Sequence, residues 1–272
     1  MNGTITGSPF NGLLIKALKE SAKRIYMSLI RPWRGIERMA IQELEASFYI
    51  KDYEQLHYLR HSIKNEEANE SAFIGQILSV LKRDDVAFDV GANVGIHTVF
   101  MAKKVGGSGR VYAFEPEQYV AKMLGENLKL NGLDNVVLFQ VALGAQKKEG
   151  ELYLDPKIGK GSLSLIKTAK NTASQHVSII PGDDLAQEEG LPIPNLIKID
   201  VEGYEMSVLK GLKKTLAHKD CSCLCCEIHP FLLPAGFRQE DIMDYAGHFG
   251  FVPISIYPRG LETHVVFKKY SG

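Results

Sequence analysis

Acidic residues and one histidine stand where apolar runs of this sequence end, and they are the side chains best placed to do chemistry. Asp200 closes the run Leu-Ile-Lys-Ile-Asp, with Glu202 and Glu205 just beyond it. Glu227 and His229 stand at the end of a second run, Cys223–Ile228. Residues two apart on an extended chain point to the same side, so Glu227 and His229 share a face. If the two runs are neighbouring strands, Asp200, Glu202, Glu227 and His229 converge at one sheet edge. Such a cluster can remove a proton from a hydroxyl, a task that a lone neutral histidine suits near pH 7. Alternatively, Asp200, Glu227 and His229 can hold a hard divalent cation that lowers the hydroxyl's pKa. Asp183 and Asp184 are further acids that an intervening segment could bring alongside. Plainer readings exist for each. Asp200 and Asp184 suit helix caps, Glu205 a first helical turn, and His229, before Pro230, a loop. His97 reads as a first-turn helix residue near a ligand. Lys167 and Lys170 read as solvated positions.

A second constellation has the chemistry of a nucleotide site. Asp89-Val90-Gly91-Ala92-Asn93-Val94-Gly95 follows a short apolar run. Glycines there let the backbone adopt positive φ and approach a ligand closely, and a helix starting after Gly95 offers free N–H groups to a carboxylate. The dinucleotide fingerprint needs a glycine at position 93, where this chain has Asn, so a nicotinamide cofactor is not expected. Glu115 ends the next apolar run, 20 residues after Gly95. Beside the first strand's tip, it can accept both hydroxyls of a ribose.

These residues need a scaffold that brings strand ends together. From Val86 onward, strand and helix patterns alternate: strands at 86–90, 111–115, 136–143, 196–200 and 223–228, and helices at 96–105, 117–130, 205–216 and 239–249. This predicts right-handed βαβ units and a mostly parallel sheet covered on both faces. Residues 150–180 interrupt the alternation with three short strand patterns, at 151–154, 162–166 and 177–180, an inserted β segment. The chain ends in a hairpin, 251–257 and 264–268, around Pro258, Arg259 and Gly260. A final antiparallel hairpin on a parallel sheet matches the common methyltransferase fold, so the expected class is α/β, class I methyltransferase-like, with seven strands.

The motifs carry a family resemblance. DVGANVG, FEP, NLKLNGLDNV, VALG, GKGSLSL with DDL, and above all IKIDVEGYEMSVLKG make residues 66–230 similar to the FkbM methyltransferases. The resemblance implies S-adenosylmethionine as cofactor and O-methylation of a hydroxyl, often on a sugar or natural product. It implies that Asp89, Gly91, Asn93 and Gly95 surround the methionine part. Glu115 would bind the ribose, and Ala142, at the third strand's tip, would lie near the adenine. The residues before about 60 lie outside it.

Composition narrows the alternatives. Formal net charge is +0, which does not suggest a nucleic-acid-wrapping surface. No run reaches the roughly 18 apolar residues of a membrane span. The start, MNGTITGSPF, lacks a secretory pattern. The four cysteines, 221, 223, 225 and 226, sit in one run and read as reduced packing residues, which points to the cytoplasm. Residues 1–12 read as disordered. Residues 13–30 read as an amphipathic helix: Leu14, Leu18, Ala22, Ile25 and Leu29 form a stripe opposite Lys16, Lys19 and Lys23. It is expected to pack on its own domain or make a homo-oligomer, with an anionic membrane as the alternative. The expected organisation is a 1–60 extension and a 61–272 methyltransferase domain acting on a small-molecule or glycan acceptor. The alternatives are a nucleic-acid methyltransferase, or a non-catalytic cofactor-binding protein that docks to a membrane or partner.

Overall fold

The structure is a computed structural model, which describes residues 35–50, 59, 70–154, 163–166 and 173–270. The helix expected over 13–30 lies outside the described residues. The first described elements are strands β1 (Gly35–Ile41) and β2 (Leu44–Ile50), which pair as an antiparallel hairpin. They are followed by α1 (Glu70–Val80), β3 (Val86–Val90), α2 (Ile96–Val105), β4 (Arg110–Phe114), α3 (Gln118–Leu130) and β5 (Val136–Phe139). A second group comprises β6 (Ala142–Leu143), β7 (Lys148–Leu154), β8 (Leu163–Ser164) and β9 (Ala173–Ile180). Next come α4 (Gly182–Glu189), β10 (Leu196–Ile199), α5 (Glu205–Gly211), α6 (Lys213–Ala217) and β11 (Cys223–Ile228). The chain closes with α7 (Gln239–Gly247), β12 (Phe251–Arg259) and β13 (Glu262–Lys269).

The main sheet has seven strands in the order β12-β13-β11-β10-β3-β4-β5. Pairing is parallel from β11 through β5, and β13 is antiparallel to β11 and β12. The α/β class, parallel centre and terminal hairpin are as the sequence predicts. The two faces follow from the period-2 pattern of the strands. Leu224 and Cys226 join Ile197, Ile199, Phe88 and Val265 in one core, under α5 and α7. Cys223 and Cys225 join Leu196, Ala87 and Val266 in another, under α1 and α2. All four cysteines are buried and free.

Three expectations change. The strand expected over 136–143 stops at Phe139; Ala142 and Leu143 pair instead with β9, in a four-stranded sheet ordered β6-β9-β7-β8. Ala142 is therefore not at the tip of a main-sheet strand. The helix expected over 205–216 is two helices, broken at Leu212. The β1–β2 hairpin was not expected at all. It buries Met39, Ile41, Ala46, Phe48 and Ile50 with Val99, Phe100 and Leu124 of α2 and α3. Asn127 of α3 and Asn131, its C-cap, hold it too, accepting from the N–H groups of Tyr49 and Ser47 respectively.

Candidate active site

The loop after β3 is built on left-handed residues: φ is 76° at Gly91, 50° at Asn93 and 91° at Gly95. A Cβ at Gly91 would come within 1.8 Å of the Asp200 carbonyl oxygen. Glycine is thus required there by the close approach of β10's end. Gly91 and Ala92 N–H donate to the Phe114 carbonyl, and Gly95 N–H to the Ala92 carbonyl. Asn93 N–H donates to Glu115 Oε2 (2.8 Å) and Val94 N–H to Asn93 Oδ1 (2.7 Å). The loop's own N–H groups are engaged internally, so any that meet an anion belong to the first turn of α2.

Glu115 stands at the tip of β4, 6% exposed. Burial pushes its pKa up to about 7, against the pull of two backbone N–H donors, from Glu117 and Asn93. Each carboxylate oxygen carries one such bond and keeps a second lone pair. A buried acceptor pair at a strand tip, beside a tight glycine loop, fits the ribose of a nucleoside cofactor. Asp89 is placed differently. It is fully buried beneath the loop, its Oδ1 3.1 Å from Lys198 Nζ and its Oδ2 accepting from Thr98 Oγ1 at 2.5 Å. Both oxygens face protein groups, so Asp89 supports the loop from behind.

Lys198 is the residue that sequence reasoning missed, although a lone cation in an apolar strand run was a signal. It is register partner to Asp89 across β3 and β10, and 1% exposed. Its Nζ donates to the Gly91 carbonyl at 2.9 Å and lies 3.4 Å from Asp200 Oδ2. Burial alone would lower its pKa; Asp89 and Asp200 outweigh burial and hold it above its ordinary value. The lysine thereby ties the glycine loop to the acidic edge.

The acids and the histidine do converge. His229 Nε2 lies 3.5 Å from Glu202 Oε2 and 3.9 Å from both Asp200 Oδ1 and Glu227 Oε1. Its Nδ1 is 2.7 Å from Glu205 Oε1. A carboxylate can only accept, so Nδ1 carries the proton and Nε2 faces the other three acids. Burial would lower the pKa of His229, but the Glu205 bond and the Glu202 and Asp200 charges raise it to about 9. These neighbours favour the protonated ring, so His229 is a poorer base than a lone neutral histidine would be. Asp200 is held below its ordinary pKa: burial opposes this, and Lys198 and His229 override it. Its side chain is 24% exposed, and α5 begins without a side-chain cap, so Asp200 is not a cap. Glu205 is not a bystander in a first turn either; it is fully buried and also accepts from Gly203 N–H. Glu202 adopts φ 51°, and its carbonyl accepts from Ser164 Oγ of the inserted sheet at 2.5 Å. Asp183 accepts from Lys214 and Thr215 N–H at the start of α6, and so does not join the cluster, while Asp184 is exposed on the first turn of α4.

The hairpin turn and α1 add groups with no warning in the sequence. Glu227 and His264 are opposite one another across β11 and β13, where side chains meet, and His264 Nε2 is 3.2 Å from Glu227 Oε2. Arg259 Nη1 lies 2.6 Å from Glu70 Oε2, 3.3 Å from Glu227 Oε1 and 3.5 Å from Glu262 Oε2. Glu70 Oε1 lies 3.3 Å from His97 Nε2. Burial raises Glu70 to about 7 although Arg259 pulls it down, and it lowers His264 to about 3 with help from Arg259. His97 is thus part of this second cluster.

Residues 89–253 match the methyltransferase FkbM domain. Hexuronic acid methyltransferase AglP of Haloferax volcanii is 27% identical over 222 residues, spanning 78% of this chain and 84% of that one. The 2-O-methyltransferase NoeI of Sinorhizobium fredii is 30% identical over 158 residues, 52% of this chain and 63% of that one. Methyltransferase 1 of Beauveria bassiana is 28% identical over 167 residues, 54% and 67% of the two chains. With the sheet order, the glycine loop and the acid at the second strand's tip in place, this chain belongs to the FkbM family of S-adenosylmethionine-dependent methyltransferases.

Proposed function

We propose that the protein transfers the methyl group of S-adenosylmethionine to a hydroxyl of a sugar, glycan or small natural product. The observation that carries this is the His229 cluster: one imidazole nitrogen fixed by Glu205, the other facing Asp200, Glu202 and Glu227. The cofactor supplies an electrophilic methyl on a sulfonium. Glu115 and the Gly91–Gly95 loop hold its nucleoside and methionine ends. The hydroxyl oxygen forms the new C–O bond as the C–S bond breaks, and its proton must leave. Asp200, ionised and partly exposed, is the group suited to receive it, and positioning supplies much of the remaining gain.

The donor set also fits a divalent cation. Ligand atoms of Asp200, Glu227 and His229 lie within 4.8 Å of one another. Glu205 behind His229 is the carboxylate–histidine arrangement that orients an imidazole toward a metal. A cation held by these three would lower the pKa of the acceptor hydroxyl.

The relatives named for a hexuronic acid and for 2-O-methylation support a sugar acceptor. A hexuronic acid also offers a carboxylate, which is ionised at neutral pH and needs no base. The acidic cluster therefore favours ether formation at a hydroxyl. The test is incubation of uronic-acid and neutral oligosaccharides with methyl-labelled cofactor, followed by mild alkali. Label that survives alkali is the expected ether; label released by alkali would show an ester and sink the hydroxyl assignment. Chelator-resistant turnover would remove the cation from the scheme and leave Asp200 as direct base.

A further inference from the structure

We infer that Glu70, Glu227 and His264 form a second divalent-cation site, for a d-block ion such as Zn²⁺ or Co²⁺, joined to the His229 cluster through Glu227. The three ligand atoms come from α1, β11 and β13 and lie within 4.8 Å of one another. The three residues are 2%, 5% and 1% exposed. His264 Nε2 is buried 3.2 Å from a carboxylate oxygen, yet makes no hydrogen bond. His97 Nε2, beside Glu70, is in the same condition. Buried imidazole nitrogens aimed at carboxylates without hydrogen-bond geometry are what a cation between them would satisfy. Phe73, one turn after Glu70 on α1, stacks on the His264 ring at 4.1 Å and meets His97 edge-on at 5.9 Å. The rings are therefore held in place. Mixed imidazole and carboxylate ligands suit zinc-like ions better than magnesium or calcium.

Glu227 links the two sites. Its Oε1 faces His229 and its Oε2 faces His264, the arrangement of a bridging carboxylate. Arg259 is the competitor. Its guanidinium neutralises Glu70 and Glu227, but it sits at the end of β12, 17% exposed and 3.5 Å from Glu262. The incoming ion displaces it toward Glu262. The inference does not depend on which acceptor is methylated.

The test is titration of chelator-stripped full-length protein with Co²⁺ alone, followed by calorimetry and by the visible d–d absorption. Folding of each variant is checked by thermal melting and by binding of S-adenosylhomocysteine. His264→Ala should lose one equivalent of Co²⁺ or weaken it at least 10-fold, and His229→Ala should keep that equivalent. Glu70→Gln, nearly isosteric, carries the same expectation if His264→Ala unfolds. Arg259→Gln should tighten Co²⁺ several-fold, because a competing cation is gone. Unaltered uptake in the folded His264→Ala or Glu70→Gln protein overturns the inference, as does unchanged or weaker binding in Arg259→Gln. Absence of Co²⁺ uptake by the wild-type protein overturns it too, while methyl transfer is read separately from labelled product.

Discussion

Single side chains here work against burial, and the outcome depends on which neighbour wins. Glu115 keeps two open lone pairs in a buried setting, so Glu115→Ala should cost cofactor binding about 1.5–3 kcal/mol, the range for hydrogen bonds to a charged group. Calorimetry with S-adenosylhomocysteine reads this directly. The Asp200 side chain pairs with Lys198 and His229, so Asp200→Asn should keep cofactor affinity within a few-fold. The same change should slow methyl transfer by about 10²–10⁴, the range for loss of a general base. His229 gives a pH signature. Its pKa rises from 6.5 to about 9 on folding, so the folded state binds the proton more tightly than the unfolded chain. The stabilisation is complete below the unfolded value and is lost as pH rises through the folded one. Glu70 and Glu115, each raised to about 7, largely finish titrating below that window, and Glu227, raised by burial and by Asp200 and Glu70, contributes a loss of the same sign. In chelator, stability should therefore fall between about pH 7.5 and 9, and His229→Gln should flatten that slope. Equal slopes in urea titrations of the two proteins would show that the ring carries no such proton.

At the scale of elements, the close packing of strand ends decides what is tolerated. Gly91 combines φ 76° with backbone 1.8 Å from where a Cβ would sit, whereas Gly132, at φ 64°, has open space around it. Gly91→Ala should destabilise by several kcal/mol or prevent folding, because β3 and β10 must separate. Gly132→Ala should cost only about 1–2 kcal/mol, the left-handed penalty alone. Thermal melts of the pair test this contrast; similar values would place the constraint in φ rather than in the strand contact. The β1–β2 hairpin shows why a local pattern can hide. Its burial alternates as a strand should, but the turn holds Gln42 at φ 53° followed by Glu43. Two-residue hairpin turns normally advertise themselves with Asn or Gly, and neither is there.

For the whole molecule, both candidate sites lie within residues 70–264, and the glycine loop follows β3. We propose that, of residues 1–30, the stretch 13–30 packs on the domain or a second copy of it. Deleting residues 1–30 should leave cofactor affinity within a few-fold while lowering thermal stability or changing the oligomeric state in sedimentation. Vesicle pelleting that Lys16, Lys19 and Lys23 reversals abolish would favour a membrane role instead. No described helix is long and apolar enough to cross a membrane.

The order of strands and helices was legible because apolar periodicity is local and the βαβ rule converts it into a sheet. So was the meeting of Asp200, Glu202, Glu227 and His229, since parallel neighbours bring their carboxyl ends to one edge. Ala142 was misplaced because leaving one sheet for another changes no local pattern. Lys198, Glu70, Arg259 and His264 entered only through tertiary structure. Their partners lie as far away as the 189 residues between Glu70 and Arg259, and strand register across a hairpin decides which side chains face each other. The sequence by itself determined the order of strands and helices in the α/β core, the glycine loop and the acidic edge, which follow from short-range pattern and the parallel-sheet rule. Protonation was decided by tertiary structure alone, because a buried group's pKa depends on every charge that folding brings within a few ångströms.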